Sequence, residues 1–301
     1  MPISYSIEPT NHCNLQCPEC PSGLGTLTRP LGLLQLDDFK KLIDEVKDTA
    51  SYIQLFFQGE PYINKNLPKM ISYAQSKNIY VAISTNGHFV NEKNVDYVLD
   101  NAPDKLIFSV DGLDEESYQK YRVGGTFKQA DEGLRSLIRR KKERHLKKPF
   151  IEFQFIVMKQ NEHQINNVKK YCREVDVDKV VFKTMQISTY ENAVKFLPSN
   201  KKYRRYTLEN NSFKIKNEIR NHCFALWRTS VITWDGRVVP CCFDKDALNE
   251  IGIVNGRSFE DIWSSMEYSN FRNRILSSRK SIPMCTNCTE GLKVNIFDIE
   301  Q

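Results

Sequence analysis

Six short apolar runs recur through the first 185 residues, at 3–7, 52–57, 80–84, 106–110, 151–158 and 179–182. Amphipathic stretches separate them. Behind Asp37 and Asp38, Phe39, Leu42, Ile43 and Val46 fall at i, i+3, i+4 and i+7, the spacing of one helix face. Pro68 suits the first turn of a helix carrying Met70, Ile71 and Ala74 inward. Val95, Val98, Leu99 and Ala102 mark the next helix. Phe127, Ala130, Leu134, Leu137 and Ile138 form a further stripe, and Ile165, Val168, Cys172 and Val175 another. Each strand–helix unit takes about 30 residues. Near-continuous apolar strands between helices predict a parallel sheet covered on both faces. Six units are too few for a closed eight-fold barrel. The expected fold is therefore α/β, a partial (β/α)6 barrel or open sheet over residues 1–185.

The pattern breaks over 186–222, which is polar and interleaves Lys201, Lys202, Arg204 and Arg205 with Tyr203 and Tyr206. We expect a linker with some helix there. Residues 223–301 change character again. Asp235-Gly236, flanked by Ser230 to Thr233 and Arg237 to Val239, predicts a β-hairpin, and Ser258 predicts a helix cap ahead of Ile262 and Trp263. A chain of 301 residues buries enough surface to need no staples. Its 40% apolar and 27% charged residues exclude a disordered chain. No run reaches the length of a membrane span, and the N-terminus lacks the basic and apolar regions of a secretory signal. The expectation is a cytoplasmic protein with no membrane partner.

Nine cysteines stand in this chain, at 13, 17, 20, 172, 223, 241, 242, 285 and 288. Disulfides are rare in a reducing compartment, so clustering of this kind points to metal or cluster ligation. Cys13, Cys17 and Cys20 form a CxxxCxxC loop directly after the first strand. Three thiolates on one loop can hold three corners of an iron–sulfur cube and leave the fourth iron open. A structural zinc site competes for such thiols but wants four ligands.

The segment Ile7-Glu8-Pro9-Thr10-Asn11-His12 followed by CxxxCxxC resembles the radical S-adenosylmethionine (SAM) enzymes. The resemblance extends through the predicted strand ends. Gln58-Gly59-Glu60 after the second strand looks like the family's glycine–glycine–acid motif, which binds the methionine amino group. Asn86 after the third strand, Ser109 after the fourth and then Arg122 continue the resemblance and imply cofactor binding; in similar members the serine and arginine contact the ribose and methionine carboxylate. Such sites lie at the carboxyl ends of strands. Two departures stand out: Glu19 replaces an aromatic residue before the third cysteine, and Gln58 replaces a glycine. The resemblance implies a 4Fe–4S cluster on Cys13, Cys17 and Cys20 that binds SAM. It also implies reductive cleavage to a 5′-deoxyadenosyl radical, and hydrogen abstraction from a substrate.

Cys223, Cys241, Cys285 and Cys288 are similar to the ligands of SPASM and twitch extensions, small C-terminal iron–sulfur domains of this family. One auxiliary 4Fe–4S cluster is expected, with zinc as the alternative for four thiolates in a closed shell. Cys241 and Cys242 are adjacent, and the GxxxxC spacing from Gly236 favours Cys241. Cys172 sits on an apolar helix face and reads as core. Asp244 is a candidate proton acceptor. The implied division is 1–185 radical SAM core, 186–222 linker and 223–301 SPASM/twitch-like domain. The implied partners are a small-molecule or peptide substrate and a reducing donor such as flavodoxin or ferredoxin. Sugar-alcohol dehydrogenation and peptide maturation both fit, and a non-catalytic electron carrier is the rival from another class. Residues 139–148 hold seven basic side chains. They read as a solvated helix end favoured by the dipole rather than a nucleic-acid surface.

Overall fold

In the computed structural model, residues 1–216 and 218–288 are described, with the backbone of Asp298–Ile299. All six predicted runs form strands: β1 (Ser4–Ile7), β2 (Tyr52–Gln54), β3 (Tyr80–Thr85), β4 (Lys105–Ser109), β5 (Phe150–Val157) and β6 (Lys179–Thr184). Later strands are β7 (Tyr206–Glu209), β8 (Ser212–Ile215), β9 (Thr229–Ile232), β10 (Arg237–Val239), β11 (Gly252–Ile253) and β12 (Asp298–Ile299). The chain divides into two compact units. One holds Met1–Cys13, Gly25–Ile83 and residues 218–288. The other holds Asn14–Leu24 and Ser84–Lys216, with the two residues of β12.

In the first unit β1 has a parallel neighbour on each edge. Tyr5 pairs in register with Ile53 of β2 on one side and Ser230 of β9 on the other. β2 pairs parallel with β3. The predicted hairpin forms, β10 returning antiparallel to β9 through Asp235-Gly236, where Gly236 takes φ +83°. The hairpin is thus part of the sheet that contains β1. The helix Leu36–Val46 has Asp37 and Asp38 in its first turn and buries the four predicted apolar residues. The helix Leu67–Ser76 starts with Pro68 in its first turn and buries Met70, Ile71 and Ala74. The helix Phe259–Trp263 is capped by Ser258. Its Phe259 meets the Tyr5 ring edge-on at 5.2 Å, tying the late helix to the first strand. Burying each such ring contributes roughly 1.5–3 kcal/mol.

In the second unit β4, β5 and β6 run parallel. Phe155 and Phe182 pack edge to face at 5.9 Å. The helix Phe127–Glu143 is capped by Thr126 and buries Ala130, Leu134, Leu137 and Ile138. Its basic end is met by acids: Arg139 by Glu92 at 2.6 Å, Lys142 by Asp176 at 2.7 Å and Arg144 by Asp100 at 2.5 Å. Exposed pairs of this kind stabilise little, but together they offset most of the run's charge.

Residues 186–216 are more ordered than a linker. They form the helix Tyr190–Phe196, capped by Thr189, and the β7–β8 hairpin. Asn210 and Asn211 turn that hairpin with φ +44° and +58°, the left-handed pair of a type I′ turn. Arg205 donates to the Thr184 carbonyl at 2.7 Å, at the end of β6. Among the described residues no helix is long and apolar enough to cross a membrane.

Candidate functional site

The chain passes from the first unit to the second between Cys13 and Asn14. On the second-unit side the loop is tightly folded. The Cys20 N–H donates to the Cys17 carbonyl at 3.1 Å, and the Leu24 N–H to that of Cys20 at 2.9 Å. Gly23 lies so close that a Cβ there would stand 2.6 Å from the Cys17 nitrogen. Gln16 donates to the Val123 carbonyl at 2.8 Å, and the Asn86 side-chain amide to Asn14 Oδ1, also at 2.8 Å. Asn86 is thereby fixed against the cysteine loop.

Cys17 is buried, and burial pushes its thiol pKa up. Arg122 opposes that shift through its charge and a hydrogen bond to the thiol. Arg122 itself pairs with the fully buried Asp111 at 2.6 Å. Burial would lower the arginine's pKa, but Asp111 and then Cys17 hold it well above the ordinary value. Asp111 also accepts from the Ile156 N–H at 2.7 Å. A cation is thus held beside a cluster-type thiol by a buried carboxylate. Ser109 is buried at the end of β4, its hydroxyl 3.3 Å from Ser84 Oγ and 3.4 Å from the Gln154 amide. Glu19, the departure from the family pattern, accepts from the Ser188 N–H at 2.9 Å.

In the first unit the turn Gln58-Gly59-Glu60 lies against the residues that precede Cys13. Gly59 takes φ +75°, and a Cβ there would stand 2.5 Å from the His12 carbonyl oxygen and 2.6 Å from that of Thr10. The Glu60 N–H donates to the same His12 carbonyl at 2.8 Å. Glu60 is 2% exposed, and the buried Gln58 Oε1 has no hydrogen-bond partner. A buried carboxylate beside an unpartnered carbonyl oxygen suits an ammonium group, which brings donors only.

Next to this turn stand Glu8, which the sequence offered only as part of the segment before the cysteine loop, and Arg29, which carried no sequence signal. Two guanidinium nitrogens of Arg29 donate to the two Glu8 oxygens. Glu8 further accepts from the backbone N–H of Trp234 and of Gln58.

The C-terminal thiols also lie in the first unit. Cys285 belongs to the short helix Pro283–Thr286, and the Cys288 N–H donates to its carbonyl at 3.2 Å. Cys241 follows β10. Burial, followed by the nearby Cys241, pushes the Cys285 thiol up to about 11, while Arg279 opposes. The charges of Cys288, Cys223 and Cys285 all act on the buried Arg279. Three of the four predicted ligands thus act on one buried cation, and the fourth, Cys241, acts on Cys285. Among the described residues no three Cys, His, Asp or Glu side chains close on a single ion. In a cube each thiolate binds a different iron, which spaces the sulfurs more widely than one metal ion does. Cys242 is exposed, with its thiol hydrogen-bonded to Cys241. Both Asp244 oxygens accept backbone N–H groups, from Leu248 and Asn249, so the structure gives this acid a turn-capping role. Cys172 is fully buried in the core, where burial raises its thiol pKa.

Two family models match the chain. That of the radical SAM superfamily covers residues 7–172, and that of an iron–sulfur cluster-binding domain, SPASM, covers residues 223–289. The chain belongs to the radical SAM superfamily. Its radical SAM domain binds a 4Fe–4S cluster and SAM, and its SPASM domain binds auxiliary iron–sulfur clusters. A tungsten-containing aldehyde ferredoxin oxidoreductase cofactor-modifying protein of Pyrococcus furiosus is 24% identical, over 94% of this chain and 86% of its own length. A probable GTP 3′,8-cyclase of Methanococcus maripaludis is 25% identical, over 86% and 91%. An AdoMet-dependent heme synthase of Nitratidesulfovibrio vulgaris is 28% identical over 56% of this chain, which spans only 44% of that protein. The fold is similar to that of anSMEcpe with bound AdoMet, at TM-score 0.66 and 16% identity, over 99% and 94% of the two chains. It is also similar to BtrN in complex with AdoMet and 2-DOIA, at TM-score 0.58 and 18% identity, over 99% of both chains.

Proposed function

We propose that the protein cleaves SAM reductively at a cluster held by Cys13, Cys17 and Cys20, and uses the product to abstract a hydrogen atom from its substrate. The carrying observation is the 2.8 Å bond from the Glu60 N–H to the His12 carbonyl. It ties the glycine–acid turn to the residue before Cys13, so an ammonium bound at that turn lies beside a cluster ligand. When bound, the cluster and SAM supply a one-electron reduction of the sulfonium and a 5′-deoxyadenosyl radical. In this reading Gln58 and Glu60 accept hydrogen bonds from the methionine ammonium, and Gly59 lets the backbone approach. Arg122 faces the methionine carboxylate while Asp111 holds it in place. Asn86 and Ser109 serve the nucleoside side.

Cys223, Cys241, Cys285 and Cys288 hold one auxiliary 4Fe–4S cluster in this proposal, which accepts the electron left on the substrate. Residues 1–185 then carry the radical chemistry, 186–222 connect, and 223–301 carry the auxiliary cluster. The working substrate is a small molecule oxidised in the cytoplasm, with flavodoxin or ferredoxin as the electron source. A peptide substrate is the second reading. It is favoured by a PqqA peptide cyclase of Granulibacter bethesdensis, 29% identical over 41% of this chain.

The test is anaerobic reconstitution followed by iron analysis and dithionite reduction with SAM. About eight irons per chain are expected, four for each cube, together with 5′-deoxyadenosine. Cys17→Ala should abolish the nucleoside and leave the auxiliary cluster's spectrum. A fully loaded protein that forms no 5′-deoxyadenosine would sink the reading.

A further inference from the structure

Arg279 is the bulkiest fully buried side chain among the described residues, with 1% exposure. It follows the helix Met266–Ser278 and stands between two segments that carry cluster-type thiols. On one side its Nη1 donates to the His222 carbonyl at 2.7 Å, and its backbone N–H to Asn221 Oδ1 at 3.0 Å. These two residues immediately precede Cys223. On the other side its carbonyl accepts from the Ile282 N–H at 3.2 Å, Ile282 in turn accepts from the Cys285 N–H at 2.9 Å, and the charges of Cys288 and Cys285 act on the guanidinium. Its Nε is buried with no partner. Among the described residues no carboxylate pairs with it, in contrast to Arg29 and Arg122, which each hold a buried acid.

A buried guanidinium without an anion is costly, and buried charges are ordinarily paired or near metals. Among the described residues the groups able to become anionic beside it are the thiols, and they do so on binding a metal cluster. We propose that Arg279 is the counter-ion and hydrogen-bond donor of the auxiliary iron–sulfur cluster, and that it raises the cluster's reduction potential. This rests on reading the four C-terminal thiols as the ligands of that cluster. The charge favours the reduced, more negative cluster. Arg279 also joins the two segments, its guanidinium bonded to the residue before Cys223 and its backbone to the turn that leads into Cys285. Arg279 is a positioning residue and takes no part in bond breaking. Lysine would keep the charge but lose the planar fork.

The experiment compares wild type, R279K and R279Q, each carrying both clusters, by redox titration followed by electron paramagnetic resonance and by timed iron release to a chelator. R279Q should lower the auxiliary cluster's potential and leave that of the N-terminal cluster unmoved. Both variants should release auxiliary iron faster, by about 10–100-fold as for other partners that orient metal ligands. R279K should keep a potential near wild type. An R279Q potential equal to wild type, or equal shifts in both variants, would overturn the proposal. Pulsed resonance on wild type labelled with 15N-arginine needs no variant: coupling of the reduced auxiliary cluster to guanidinium nitrogen is expected, and its absence also overturns the proposal. Zinc, or only four irons all lost in Cys17→Ala, would instead fail the underlying reading of the site.

Discussion

Arg29 grips Glu8 through two nitrogens, at 2.6 and 2.5 Å, in a place closed to solvent. Glu8 also accepts from the backbones of Trp234 and Gln58. The pair therefore links β1, the hairpin turn after β9 and the glycine–acid turn through one carboxylate. Removing one partner leaves a buried charge uncompensated, which costs about 3–5 kcal/mol. Urea unfolding of Arg29→Met should show that loss. The double variant Glu8→Gln/Arg29→Met should recover part of it, and strict additivity of the two single effects would count against the pair.

Gly59 offers a second test. An alanine methyl would press on two backbone oxygens, of His12 and Thr10, neither of which can swing aside as a side chain does. The φ of +75° adds to the strain. With about 1–3 kcal/mol of strain at the turn, Gly59→Ala should weaken SAM binding by roughly tenfold or more. Titration calorimetry on the cluster-loaded protein measures this. Wild-type affinity would mean that the turn does not bear on the methionine group.

Glu19 holds the start of the 186–216 segment through the Ser188 N–H. Glu19→Ala removes a charge-assisted hydrogen bond worth roughly 1.5–3 kcal/mol. Hydrogen exchange at Ser188 should quicken by about tenfold or more on that scale. Unchanged protection there would show that Glu19 is not the clamp.

His88 provides a pH test away from the cysteines. Its Nε2 accepts from the Thr126 N–H at 3.0 Å, which places the proton of the neutral ring on Nδ1, facing Asn86. Burial, then the positive Arg122, lowers its pKa below 6.5, while Asn86 and Glu115 oppose. The folded state therefore binds its proton less readily than the unfolded state. Stability is present above pH 6.5 and is lost as pH falls from there toward the lowered folded value. Melting temperature should drop more on acidification in wild type than in His88→Gln. Parallel curves for the two would exclude this residue as the source.

Much of the frame was legible because it is local. Strand positions followed from apolar runs such as 80–84, helix faces from spacing such as Phe39 to Val46, and caps from single residues such as Ser258. The cysteine loop was legible because three ligands lie within eight residues. Pairings between distant positions were not: nothing at Thr229–Ile232 indicates a parallel match to Ser4–Ile7. Arg29 and Arg279 resemble any other arginine until burial singles them out. The β7–β8 turn did carry a signal, since Asn210-Asn211 suits two consecutive left-handed residues, but the polar surroundings led to a linker instead.

The parallel match of β1 to β9 bears on how the chain reaches its folded form. β1 is made before β9, and one of its two edges waits for that partner more than 220 residues later. A nascent chain exposes that edge through most of its synthesis, and an open strand edge is a template for wrong pairing. Trp234, just past β9, donates its N–H to Glu8, just past β1, so that buried carboxylate gains this donor only after the late segment has been made.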